Sequence, residues 1–187
     1  MNVRPRLSTA KVVDAALELV DEQGVEALTL AAVAAKTGVA TPSLYKHVAS
    51  LGELRGHVGV RVLEEMAERF TGAVIGRAGD DAVAALMHAY RAYVRERPKR
   101  YGAMPVDPLH DELQRDAGMK LMEVMFAALR SYGLEGSQAI HAARRLRVIV
   151  HGFASIESGG GFGLPEGLDE TYDQLVRMYL DDLRGQS

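Results

Sequence analysis

Apolar residues recur every three or four positions along almost the whole chain, the spacing of helices that bury one face. Val12, Ala15, Ala16, Leu19 and Val20 form such a stripe between Ser8 and Gln23, with Asp14, Glu18, Asp21 and Glu22 mostly opposite. Ser8 is placed to cap this helix and Gly24 to stop it. Thr29 caps a short second helix over Leu30 to Lys36, ended by Gly38. Thr41 is read as the next N-cap with Pro42 at the first helical position, for a third helix running to about His47. Ser50 and Glu53 have the spacing of a capping box and open a long fourth helix towards Phe70. After a loose stretch to Gly79, Val83, Leu86, Tyr90 and Val94 mark a helix from Asp80 to Pro98. Leu113, Leu121, Val124, Met125, Ala128 and Leu129 mark one from Leu109 to Tyr132. Ser137 is read as the cap of an apolar helix to Ser158, and a glycine-rich loop (159–167) precedes a last helix over Leu168 to Leu183. No segment alternates with period two. The expected class is all-α, with about nine helices.

Two short helices joined by a glycine turn behind a longer one make a helix-turn-helix unit, whose last helix enters a DNA major groove. Leu44 and Val48 lie four apart and point inward, leaving Thr41, Ser43, Tyr45, Lys46 and His47 on the outer surface. Hydroxyls, a phenol, a cation and an imidazole all suit phosphates and base edges. Charge gives no support of its own, because residues 1 to 47 hold five cations and five acids. On spacing alone, a capped helical hairpin with an exposed Tyr-Lys-His face reads equally well.

The stretch AALELVDEQGVEALTLAAVAAKTGVATPSLYKHV, with a further helix from near Ser50, resembles the DNA-binding domain of TetR-family transcriptional regulators. The resemblance implies a DNA-binding domain over residues 1–49 and a helical ligand-binding and dimerisation domain over 50–187. It implies that Thr41, Pro42, Ser43, Tyr45, Lys46 and His47 face the operator, with Thr29 near the backbone; Lys36 joins them as a cation beside the turn. Two departures stand out. Relatives often carry Lys where this chain has Leu51 and Gly52, and a polar or basic residue where it has Ala31. Arg4 and Arg6 are expected to compensate as a basic arm.

The C-terminal part resembles the TetR subclass with a Trp-His-Gly signature and a glycine-rich loop, here VHGFASIESGGGFGLPEG from Val150 to Gly167, with Val150 in place of the Trp. Leu168, Tyr172, Leu175, Tyr179 and Leu183 form one apolar seam and Ile140, Leu146, Val150 and Phe153 another. Two adjacent broad faces, taken with the resemblance, imply a two-fold four-helix interface between copies of the chain. An effector pocket is expected among the fourth to eighth helices, with Met87, Tyr90, Met104, His110, Met122, Met125, Phe126 and His151 as candidates. The same residues suit an ordinary core.

Lys and Arg number 22 against 25 Asp and Glu, a net charge of −3 that excludes a bulk polycation. The absence of cysteine excludes disulfides, thiolate metal sites and thiol nucleophiles. No apolar run approaches the ~20 residues that span a bilayer, and the N-terminal MNVRPRLSTAK lacks the apolar segment of a signal peptide. The six histidines form no metal-binding motif, and the GGGFG run lacks the Lys-Ser/Thr of a phosphate loop. The expectation is a cytoplasmic, cofactor-free, non-enzymatic homodimer that binds pseudo-palindromic operator DNA and an unidentified small-molecule effector, most often as a repressor. The competing class is a helical-bundle enzyme or ligand carrier with no DNA role.

Overall fold

The computed structural model describes residues 7–186. Arg4 and Arg6, read as a basic arm, lie outside the described residues. Among those described there are nine α-helices and no strand: α1 (Thr9–Gln23), α2 (Leu30–Thr37), α3 (Thr41–Leu44), α4 (Leu51–Val74), α5 (Gly79–Glu96), α6 (Pro98–Tyr101), α7 (Arg115–Leu129), α8 (Gly136–Ser158) and α9 (Leu168–Arg184). They form two compact units. Of the described residues, one holds 7–63 together with Lys99–Gly118, and the other holds Glu64–Pro98 and 119–186.

In the first unit α1 packs on α2 and α2 on α3. Val12, Ala16, Val20, Leu28, Val33, Leu44 and Leu54 are wholly buried and form its core. The predicted caps at α1 and α2 form: Ser8 Oγ accepts from the Lys11 N–H at 3.3 Å and Thr29 Oγ1 from the Ala32 N–H at 3.1 Å. At α4, Ser50 Oγ accepts from the Glu53 N–H at 3.0 Å, while the Glu53 carboxylate reaches back to the Ala49 N–H. The cap of α3 is displaced by one residue. Ala40 holds the extended cap position, with no side-chain bond, and Thr41 and Pro42 are the first two helical residues. Proline suits either place, since neither N–H has an intrahelical partner.

The segment after α6 also departs from expectation. Residues 109–114 do not extend α7. Asp111 Oδ1 accepts from the N–H groups of Leu113 (2.9 Å) and Gln114 (3.1 Å), so a side chain takes donors of the incoming helical turn. The stretch instead lies on α4. A Cβ on Gly56 would sit 2.8 Å from Leu113 Cδ2, and one on Gly59 would sit 3.1 Å from Pro105 Cδ. Glycine at these two places admits the close approach.

In the second unit α5 is the centre, packed against α8 and α9. Tyr172 Oη donates to the Met87 carbonyl (2.7 Å) and Tyr179 Oη to that of Ala142 (2.8 Å), tying α9 to both neighbours. Burial raises the pKa of both phenols, which keeps them neutral donors. Of the two predicted seams, Leu146, Val150, Phe153, Tyr172, Tyr179 and Leu183 are buried in this core, Leu168 and Leu175 are half-buried, and Ile140 is exposed near the start of α8. Ser137 is not the cap of α8: Gly136, in left-handed geometry (φ +51°), begins the helix and Glu135 precedes it without a side-chain bond.

Candidate nucleic-acid interface

The turn between α2 and α3 is built by Gly38, whose left-handed φ of +69° no β-carbon residue adopts cheaply. The Val39 N–H reaches back to the Ala34 carbonyl (3.0 Å) and the Gly38 N–H to that of Ala35 (3.2 Å), which closes α2. The chain then turns at once into α3. Leu44 and Val48 are buried and fix the orientation of the short helix. Beyond Leu44 the helical turn continues in tightened form, with the His47 N–H on the Leu44 carbonyl (2.8 Å) and the Val48 N–H on the same oxygen (3.0 Å). Thr9 Oγ1 donates to the His47 carbonyl (3.2 Å), which ties the end of this turn to α1.

With Leu44 and Val48 turned in, the opposite face is polar and open. Pro42, Tyr45 and Lys46 are exposed, and Thr41, Ser43 and His47 are half-buried. Tyr45 is 56% exposed, a large aromatic that the core leaves outside. Lys36 is differently placed. Its ammonium sits 2.8 Å from Glu22 and 3.2 Å from Glu18 on α1, and these carboxylates raise its pKa. Its charge is already answered. Thr29 is exposed and its hydroxyl serves as the α2 cap. Ala31 is exposed and Leu51 half-buried, and one turn along α4 an exposed Arg55 supplies a cation that periodicity alone does not single out.

The residues read as effector candidates separate. Met87, Tyr90 and Met125 are buried in the core of the second unit. In the same unit Phe126 and Met122 are half-buried and His151 is exposed on α8. Met104 and His110 belong to the first unit; Met104 is half-buried, and His110 is exposed with Nδ1 2.8 Å from Asp107 Oδ2. The second unit does contain a groove of about 820 Å³, between the second half of α4 and α7. Glu64, Ala67, Glu68 and Thr71 form one wall, and Lys120, Glu123, Val124, Phe126, Ala127 and Arg130 the other. Phe126 is the one predicted candidate on it. Among the described residues no group of three or more His, Asp or Glu is arranged to hold a metal ion.

Sequence reading also missed Arg91, the buried cation of α5. Its guanidinium donates twice to Glu157 of α8 (2.8 and 2.6 Å), lies 2.8 Å from Asp169 of α9 and stacks 4.6 Å from the Tyr172 ring centroid. No local pattern signals it, because its acceptor lies 66 residues away.

A tripartite helical reader with a polar outer helix, joined to a second helical unit, is the construction of a helix-turn-helix DNA-binding regulator. Comparison with known proteins makes that specific. The model for "Bacterial regulatory proteins, tetR family" matches residues 12–54, and that for "Tetracyclin repressor-like, C-terminal domain" matches residues 83–179. The uncharacterized HTH-type transcriptional regulator Rv0681 of Mycobacterium tuberculosis is 38% identical over 161 residues, 83% of this chain and 72% of that protein. The uncharacterized HTH-type transcriptional regulator YobS of Bacillus subtilis is 32% identical over 184 residues, 98% and 96% of the two chains. A TetR variant from Acinetobacter baumannii, solved in complex with minocycline, has the same fold (TM-score 0.74, 19% identity, covering 97% of this chain and 99% of that one). The chain belongs to the TetR family of bacterial transcriptional regulators. Among its described residues no helix is long and apolar enough to cross a membrane.

Proposed function

We propose that this regulator is a cytoplasmic, effector-responsive repressor that binds a pseudo-palindromic operator as a homodimer. The observation that carries the DNA half is the Thr41–His47 face, held outward by buried Leu44 and Val48. Thr41, Pro42, Ser43, Tyr45, Lys46 and His47 would meet the groove and its phosphates, with Arg55 a further phosphate contact; Lys36 is left out because Glu18 and Glu22 hold it. In a dimer, two α3 turns would address half-sites about 34–36 Å apart, or a multiple of that. Residues 1–49 form the operator-binding domain on this reading, and 50–187 the effector and dimerisation domain.

Dimerisation is supported by apolar side chains that α8 and α9 leave outside: Ile140, Ile156, Val148 (70% exposed) and Met178 (55% exposed). A second copy of the same pair would cover them as a four-helix interface. The His151-Gly152-Phe153 core and the loop that follows support placement in the Trp-His-Gly subclass, with buried Val150 standing where the Trp would be. Effector response requires a ligand that prefers the form of the dimer unable to hold DNA. A family neighbour crystallised with minocycline supports a small-molecule effector in general, without naming this one.

The test is binding of the full chain to DNA flanking its own gene across a salt series. The expected result is tight, site-specific binding whose log affinity falls linearly with log salt. Binding with no preference for any site at moderate salt would overturn the reading.

A further inference from the structure

We infer that the groove between α4 and α7 is a receptor for an organic cation with an apolar, preferably aromatic, body. The inference rests on the effector reading above and gives that effector a chemical class.

The charges on α4 divide by face. Turned towards α5, Glu65 accepts from Tyr93 Oη (3.1 Å), and Arg69 donates twice to Glu96 (2.6 and 2.7 Å). Turned towards the groove, Glu64 and Glu68 are one helical turn apart and have no ion-pair partner within 4 Å among the described residues; nor has Glu123 on the α7 wall. Glu65 is thus answered on the α5 side, while Glu64 and Glu68 of α4 and Glu123 of α7 are left around an open volume of about 820 Å³, within the range of small-molecule sites.

Two cations, Lys120 and Arg130, also line the groove, likewise without a partner among the described residues. They stand ten positions apart on one wall, Lys120 on α7 and Arg130 in the turn directly after it, so they lie roughly 15 Å from each other along the wall, with Glu123 between them. The three carboxylates exceed the two cations and lie on both walls. Between them the groove is lined by Ala67, Val124 and Ala127, with the half-buried ring of Phe126. The small side chains leave the space open. Phe126 offers a π-face to a cation, and the carboxylates provide the counter-charge.

Tetraphenylphosphonium and tetraphenylborate are nearly the same size and shape and differ in the sign of their charge, so the pair isolates the electrostatic choice. Titration calorimetry of the full chain is expected to show saturable binding of the phosphonium at one per chain, at least about fivefold tighter than the borate. In Glu68→Gln/Glu123→Gln the phosphonium affinity falls roughly fivefold to tenfold with the melting temperature unchanged. Ala127→Leu, an exposed position that fills the groove, weakens both ions. Equal binding of the two ions, tighter binding of the borate (an anion receptor built on Lys120 and Arg130), or indifference to all three substitutions overturns the proposal. Operator release is measured in parallel. Groove binding that leaves operator binding untouched refutes the groove as the effector site and keeps the cation site; operator release by another compound that does not compete with the phosphonium keeps the effector reading and overturns its placement in this groove.

Discussion

Arg91→Met tests the energetics of the second unit most directly. Methionine keeps much of the volume and removes the charge, so the effect is electrostatic rather than a cavity. The Arg91 side chain is 6% exposed and that of Glu157 10%, and two bonds of 2.8 and 2.6 Å join them. Taking away one member of such a pair leaves a carboxylate buried without its counter-ion, which costs about 3–5 kcal/mol. The stacking on Tyr172 and Phe153 adds ~0.5–2 kcal/mol in isolation but acts on the same cation, so it is not summed. Arg95, with Nε already 3.5 Å from Glu157, can swing in and recover part of the loss. The expected cost is therefore near the lower end, about 3 kcal/mol, and a melting temperature lower by roughly 6–12 °C. Urea unfolding followed by circular dichroism reads it, at one fixed protein concentration so that any association contributes equally. The double variant Arg91→Met/Glu157→Leu removes both charges and should regain most of the loss. A single variant costing under about 1 kcal/mol, or a double variant no better than the single, would refute the reasoning.

Thr29→Ala removes the cap of α2 and should cost about 1 kcal/mol in urea unfolding, with operator affinity reduced evenly across sequences rather than at one base. Lys46→Ala should lower the salt slope of operator binding by about 1, and Lys36→Ala should leave it unchanged because that charge is bound to Glu18 and Glu22; equal slopes for both variants would contradict this division. The Arg69 guanidinium holds the Glu96 carboxyl below its ordinary range, so the pair stabilises the fold above the unfolded carboxyl pKa and that contribution disappears as pH falls through the folded value. Glu96→Gln should cost under ~1 kcal/mol at pH 7 and nothing near pH 2; a cost that persists in acid would show that the pair acts through packing.

What was legible in the sequence was decided within a few residues. The hydroxyls of Ser8 and Thr29 and the Ser50–Glu53 pair cap helices by bonds that reach three residues, so the pattern and the bond are the same fact. Most of the α8 and α9 seams was equally readable, because a face that is apolar every turn tends to be covered; Ile140, at the start of α8, stays outside. The outer face of α3 followed by subtraction once Leu44 and Val48 were placed inside. Even locally, Asp111 shows the limit: nothing in the apolar spacing of 109–132 reveals that one carboxylate will take two backbone donors and delay the helix.

Charge pairing was not legible, and α4 shows why. The stretch Glu64-Glu65-Met66-Ala67-Glu68-Arg69 contains Glu65 and Arg69 four apart, the order that favours an intrahelical pair worth about 0.2–0.5 kcal/mol. The structure makes a different choice. Arg69 takes Glu96 with both nitrogens, and Glu65 takes Tyr93 and lies 3.9 Å from Arg97. A bidentate pair on a neighbouring helix outweighs a single flexible contact along the same one, because its geometry is set by packing already in place. The choice also separates two kinds of glutamate that the sequence writes identically. Glu65 is held by its neighbours, whereas Glu64, beside it in sequence but turned to the groove, keeps its charge for whatever enters. The same tertiary placement ties Lys36 to Glu22 and leaves Lys46 exposed on the proposed operator face. In a chain whose charges nearly cancel, the proposed contacts rest on which few charges packing leaves unanswered, and only the folded arrangement decides that.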